Sequence, residues 1–135
     1  MVASFGFEAL LPTDNDKTEP LSIYIANCRM IDQCDIIVAN VNSFRGAEPD
    51  SGTCFEIGFA AALEKQIVIY SHDNDDLKEK VKDSPFGYLG NSQIDINNFR
   101  IEDFGFPVNL MLACSSVFVH GNIHDALKYI KDHHV

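Results

Sequence analysis

The stretch Asp35-Ile36-Ile37-Val38-Ala39-Asn40-Val41 is an almost unbroken apolar run, and the residues that follow it turn polar. Such a run reads as a strand covered on both faces, the pattern of a parallel sheet. The loop Asn42–Ser51 comes next, then a helix over Gly52–Glu64. That helix is rich in Gly58, Ala60, Ala61 and Ala62, small residues that let it lie close on a sheet. Gln66–Tyr70 is a second buried strand, so strand, helix and strand succeed one another.

On the N-terminal side, Pro20–Gln33 has helical apolar spacing: Ile23, Ala26, Met30 and Ile31 share a face, and Asn27 falls among them. Phe7–Leu11 reads as a short strand stopped by Pro12 and followed by the polar turn Thr13-Asp14-Asn15-Asp16. Val2, Phe5 and Phe7 are candidates to pair beside Ile36–Asn40. On the C-terminal side, residues 72–100 are polar and irregular, with a short Lys/Glu helix, Gly87 and Gly90, and read as an insertion or lid. Pro107–Ala113 is a helical turn leading to the strand Ser116–His120. Asn122 then caps a last amphipathic helix with Ile123, Ala126, Leu127 and Ile130 on one side. The alternation predicts one α/β domain over residues 1–135: a three-layer, flavodoxin-like (Rossmann-like) parallel sheet with helices on both faces.

Composition narrows the function classes. A chain of 135 residues with 46% apolar content can bury one real core. Nowhere does it hold the ~18 consecutive apolar residues of a membrane span, nor a basic-then-apolar leader. The net charge of −10 argues against a nucleic-acid polymer as partner, since phosphate backbones are gripped by clustered Lys and Arg. It suits an enzyme acting on a small, largely neutral substrate. Cys28, Cys34, Cys54 and Cys114 form no Cys-x-x-Cys pair and read as buried free thiols in a reducing cytoplasm. The five histidines are scattered, two of them in the terminal tail, so no metal site is expected.

The chemistry concentrates in Arg45–Phe59. Glu48 and Asp50 precede the helix and Glu56 lies within it, at the corner beyond the carboxyl end of a strand where open α/β sheets bind ligands. A carboxylate there is a candidate nucleophile, kept ionised by the helix dipole. Each residue also has a plainer reading. Thr53-x-x-Glu56 fits a capping box, Asp50 fits an N-cap, and Glu48 fits a solvated loop charge. Asn27 is either a satisfied core amide or a ligand contact, because leaving it unpaired would cost roughly 1–3 kcal/mol. Asn109 fits helix capping, and Phe44 is either an apolar plug or a surface for a nucleobase to stack on.

Three groups of residues together resemble the nucleoside 2-deoxyribosyltransferase family: Cys34–Asn40, Phe44–Ala60 and Phe104–Met111. The likeness runs from about Phe5 to Ile130 and includes Leu11-Pro12-Thr13-Asp14-Asn15. The Arg-Gly-x-Glu-Pro-Asp-x-Gly-Thr form of the loop is similar to bacterial and protozoan members. The resemblance implies that Glu56 is the nucleophile attacking the anomeric carbon of a 2′-deoxynucleoside. It implies that Asp50 contacts the nucleobase and helps protonate it as it leaves. Asn109 matches an amide that a neighbouring subunit contributes, which implies a homo-oligomer. Asn27 stands where some members have Asp. Phe44, Arg45, Gly52 and Met111 complete the expected substrate-binding set. Relative to the family, this chain starts about one βα unit late, lacking the opening mid-sheet strand and a Tyr that buttresses the nucleophile.

The implied cycle has two displacements. A deoxyribosyl ester forms on Glu56 with inversion, and a second base or water attacks from the opposite side, giving net retention. Oxocarbenium character on the sugar is stabilised and then trapped by the carboxylate, and an acid improves the leaving base. No cofactor is expected. Two rivals remain: hydrolysis of 2′-deoxynucleoside 5′-monophosphates, for which Arg45 and Ser43 offer little positive charge, and a non-catalytic nucleotide-binding relative.

Overall fold

The structure, a computed structural model, describes residues 2–12, 16–85, 87 and 93–133. Helix α1 (Pro20–Gln33) opens with proline in its first turn, where the missing N–H is no loss. Strand β1 (Ile36–Asn40), helix α2 (Ser51–Ala62) and strand β2 (Gln66–Ser71) follow. A short helix α3 (Leu77–Lys82), a single-turn α4 (Leu110–Cys114), strand β3 (Val117–His120) and helix α5 (Ile123–His133) complete the order. The strands form a parallel sheet in the order β1-β2-β3, with Val38 beside Val68 and Val68 beside Val117.

Period-two alternation divides the apolar run of β1 between the two faces of the sheet. Ile37, Ala39 and Val41 join Ile67 and Ile69 under Ile31 of α1, Ile57 and Ala60 of α2 and Leu112 of α4. Ile36, Val38, Val68 and Val119 point the other way, onto Ala126 and Ile130 of α5. Those two apolar layers make the three-layer α/β arrangement that the alternation of elements predicts.

Helix α5 starts with a reciprocal box. Asn122 accepts from the His124 amide at 2.8 Å, and Asp125 accepts from the Asn122 amide at 2.9 Å. Gly121 just before it has φ +132°, and a Cβ there would overlap the Asp125 carboxylate.

The structure corrects several readings. Phe7–Leu11 is not a strand, and Val2–Phe5 is a 3-10 turn rather than a partner for β1. Aromatic contacts explain this: Phe5 meets His124 edge-on at 5.1 Å, and Phe7 packs on the α5 side of the core. The segment is drawn to α5, not to a sheet edge. The cysteines are not all buried; Cys114 is exposed and the other three are half-buried. Residues 72–100 are more than a polar excursion, because Leu77 and Lys80 are buried and Lys80 donates to the Pro107 carbonyl at 2.8 Å. The turn expected at residues 13–15, with that part of the family likeness, and Gly90 lie outside the described residues.

Candidate active site

Helix α2 begins at Ser51, one residue earlier than the sequence suggests, because Asp50 is its N-cap: Oδ2 accepts from the Thr53 amide at 3.1 Å. Gly52 makes this possible, since a Cβ there would stand 3.0 Å from Asp50 Oδ2. With the Thr53 amide taken, Glu56 has no cap to make. It lies in the second turn, beyond the reach of the helix-end charge.

Glu56 instead faces α1. Asn27 Nδ2 donates to Glu56 Oε1 at 3.5 Å across the seam between α1 and α2, and both residues are half-buried. Asn27 Oδ1 is buried and has no protein partner. Burial pushes the Glu56 carboxyl above the usual carboxylate range; the Asn27 hydrogen bond pulls it back down, and the nearby charge of Asp50 adds to the rise. Desolvation, and not the helix dipole, therefore sets the character of this group. That corrects the expectation drawn from the sequence.

A cavity of about 680 Å³ opens beside the loop. Phe44, Arg45, Glu48, Asp50 and Asn109 line it, and Leu77, Phe99 and Arg100 form the facing wall. The polar segment read as a lid therefore supplies one side of this cavity. Four of the expected site residues (Phe44, Arg45, Asp50, Asn109) meet here. Glu56, Asn27, Gly52 and Met111 do not line it. Asp50 links the two groups, lining the cavity while acting through its charge on Glu56.

Arg45 sits 4.9 Å over the Phe44 ring, so its guanidinium stacks on the aromatic face at the cavity mouth. Burial also pushes the Glu48 carboxyl up, with Glu102 reinforcing the rise and Lys80 opposing it. Glu48 is exposed, as the reading of a solvated loop charge expects. Asn109 caps α4, its Oδ1 accepting from the Met111 amide at 2.9 Å, while its Nδ2 donates to Glu102 at 2.7 Å. Met111 points outward, 70% exposed.

Two residues of this region escape sequence reading. Glu102 orients Asn109 and also accepts from the Leu110 amide at 2.9 Å, a second cap supplied from outside the helix. Asn42 joins the carboxyl ends of β1 and β2, its Oδ1 accepting from Ser71 Oγ and the His72 amide, each at 3.0 Å. Neither belongs to a local pattern; only the fold brings the partners together. Among the described residues, no group of three or more His, Cys, Asp or Glu side chains is arranged to hold a metal ion.

Comparison with known proteins gives two positive findings. Residues 1–111 match the family profile described as Nucleoside 2-deoxyribosyltransferase. The chain is also similar to a solved structure described as a 2-desoxiribosyltransferase from Leishmania mexicana. The two share 36% identity with a TM-score of 0.77, over 93% of this chain and 77% of that one. No protein of curated function matches.

Proposed function

This chain belongs to the nucleoside 2-deoxyribosyltransferase family, and from that premise we propose that it moves 2-deoxyribose between nucleobases through an ester on Glu56. The observation that carries this reading is the state of Glu56: half-buried, held by Asn27, raised by desolvation and released from capping by Asp50. A partly desolvated carboxylate is a stronger nucleophile than a hydrated one.

The nucleobase occupies the cavity beside Phe44 and Asp50, and the sugar extends toward Glu56. Asp50, having taken up a proton as substrate binds, donates it to the base as the N-glycosidic bond breaks, and C1′ bonds to Glu56. A second base then displaces the carboxylate from the opposite side and returns a proton to Asp50. Asn109 and Met111 of one copy complete the site of a neighbour in a homo-oligomer. The whole of residues 1–135 acts as one domain, with no cofactor, in cytoplasmic nucleotide salvage. Among the described residues, no helix is long and apolar enough to cross a membrane.

The cavity carries Arg45 and Arg100 against Glu48, Asp50, Asp95 and Glu102. That balance favours a neutral nucleoside over its 5′-monophosphate. Incubation of deoxyinosine with adenine, followed by chromatography, tests the reading: deoxyadenosine and hypoxanthine should accumulate together. Free deoxyribose without deoxyadenosine, or turnover of the monophosphate alone, would replace transfer with hydrolysis.

A further inference from the structure

Residues 93–101 double back as a short hairpin. Ile94 and Arg100 pair as an antiparallel bridge, and the Ile101 amide donates to the Gln93 carbonyl at 2.9 Å. Asp95 builds the turn between the two arms. Its Oδ1 accepts from the Asn97 and Phe99 amides, each at 2.9 Å, and its own amide donates to the Phe99 carbonyl at 2.9 Å. Asn98 takes the left-handed conformation that closes the turn, with φ +67°. Both backbone groups of Phe99 are thus tied to Asp95, which fixes the point from which the ring projects.

The fold itself makes little use of that ring. Phe99 is 69% exposed, yet it lines the same cavity as Phe44 and Asp50. Phe44, on the loop across the cavity, is 49% exposed, with Arg45 over one of its faces. Two aromatic side chains held at one cavity and left open to water add nothing to the core. The same cavity carries charges of both signs, Arg100 and Arg45 against Glu48, Asp50 and Asp95. Aromatic surfaces with donors and acceptors around them fit one ligand chemistry: a flat heteroaromatic ring whose faces stack and whose edge both gives and takes hydrogen bonds. A purely apolar ring would leave the charged groups unpaired, and a sugar alone has no flat face to stack.

We propose that Phe99 is a substrate-binding residue, the second aromatic wall against which a nucleobase stacks, opposite Phe44. Its role rests on the proposed placement of the base in this cavity and not on Glu56. The polar segment read as a lid then has a definite task, to carry one ring of the binding site. Stacking on Phe99 is as strong before C1′ is attacked as during the attack. It therefore serves binding and leaves the bond-breaking step unchanged.

The chain contains no tryptophan, so Phe99→Trp installs a single fluorophore at the proposed wall and keeps a ring to stack. Adenine titrated into this variant, with no nucleoside present, should quench its emission to a saturating limit. Phe104 is 64% exposed and does not line the cavity, so emission from Phe104→Trp should be unaffected. By equilibrium dialysis, Phe99→Ala should bind adenine roughly five- to 150-fold more weakly than wild type, the worth of one base–aromatic stack. Phe99→Tyr should restore binding. In base exchange, Phe99→Ala should raise KM by a similar factor while kcat stays within about twofold.

Quenching no greater in Phe99→Trp than in Phe104→Trp would overturn the proposal, as would wild-type adenine affinity in a natively folded Phe99→Ala. Base exchange by Phe99→Ala with an unchanged KM would overturn it too and leave the transfer reading intact. Saturable quenching without any base exchange by the wild type would uphold Phe99 and count against Glu56 alone.

Discussion

Asp50 takes the Thr53 amide at 3.1 Å, and that contact keeps Glu56 out of the helix cap. The four-residue pattern Thr53-x-x-Glu56 is compatible with a reciprocal box, and helix α5 builds such a box from Asn122 and Asp125. In α2 the helix starts earlier, so Thr53 is already inside it. Glu56 is left to pair with Asn27.

On the proposed reading, Asp50 combines its capping of α2 with a separable role as proton donor. Asp50→Ala removes the cap and should destabilise the protein by about 1 kcal/mol. Asp50→Asn keeps an acceptor for Thr53 and should retain near-wild-type stability. Both variants should lose at least about 10²-fold in base exchange, because neither can protonate a leaving base. Urea unfolding beside initial rates checks the pair; an Asp50→Asn enzyme of normal rate would remove Asp50 from proton transfer.

Asn27 tunes Glu56 by donating to it, which lowers the carboxyl relative to burial alone. Asn27→Asp replaces that donor with a negative charge and should push Glu56 further up. The acid limb of the pH–rate profile should then move to higher pH, with the plateau rate largely kept. An unmoved limb would mean that Asn27 does not act on the nucleophile.

Stability carries a related signature. Glu56 titrates higher in the folded chain than in the unfolded one, so the folded state holds the extra proton between those two values. Wild-type stability should fall as pH rises through that window. Glu56→Gln has no such loss, and its advantage should be absent in acid and grow toward neutral pH. The gain should stay below about 1 kcal/mol, since the carboxylate keeps part of its water. Thermal melts across the pH range, wild type against variant, measure it.

Asn109 offers a test of subunit sharing. In one copy it caps α4 and holds Glu102, so Asn109→Ala should cost about 1 kcal/mol on capping grounds alone. If it also completes a neighbour's site, Asn109→Ala and Glu56→Ala should both be nearly inactive. Mixed together and allowed to exchange subunits, they should recover activity, because some sites then hold both native residues. A mixture no more active than its components would confine each site to one chain.

Much of the fold was legible because its signals are local and strong. Pro20–Gln33 carries its own start signal and period, and its observed limits coincide with those the spacing predicts. The apolar runs of β1 and β2 are recognisable because burial on both faces removes polar residues. Phe7–Leu11 misled for the same reason: an apolar segment reads alike whether it joins a sheet or lies on a helix, and Phe5 and Phe7 favour α5. At the site, the sequence allows either Asp50 or the Thr53–Glu56 pair to cap α2, and which does so depends on where the helix begins. Glu102 and Asn42 could not be found locally, since their partners lie in other elements.

The most direct test of the account is intact-protein and peptide mass spectrometry after acid quench of the enzyme with a 2′-deoxynucleoside and no acceptor base. The account predicts one deoxyribosyl unit, localised to the peptide containing Glu56, lost on adding a second nucleobase and absent from Glu56→Ala. An adduct on another residue, or full turnover by Glu56→Ala, would contradict it.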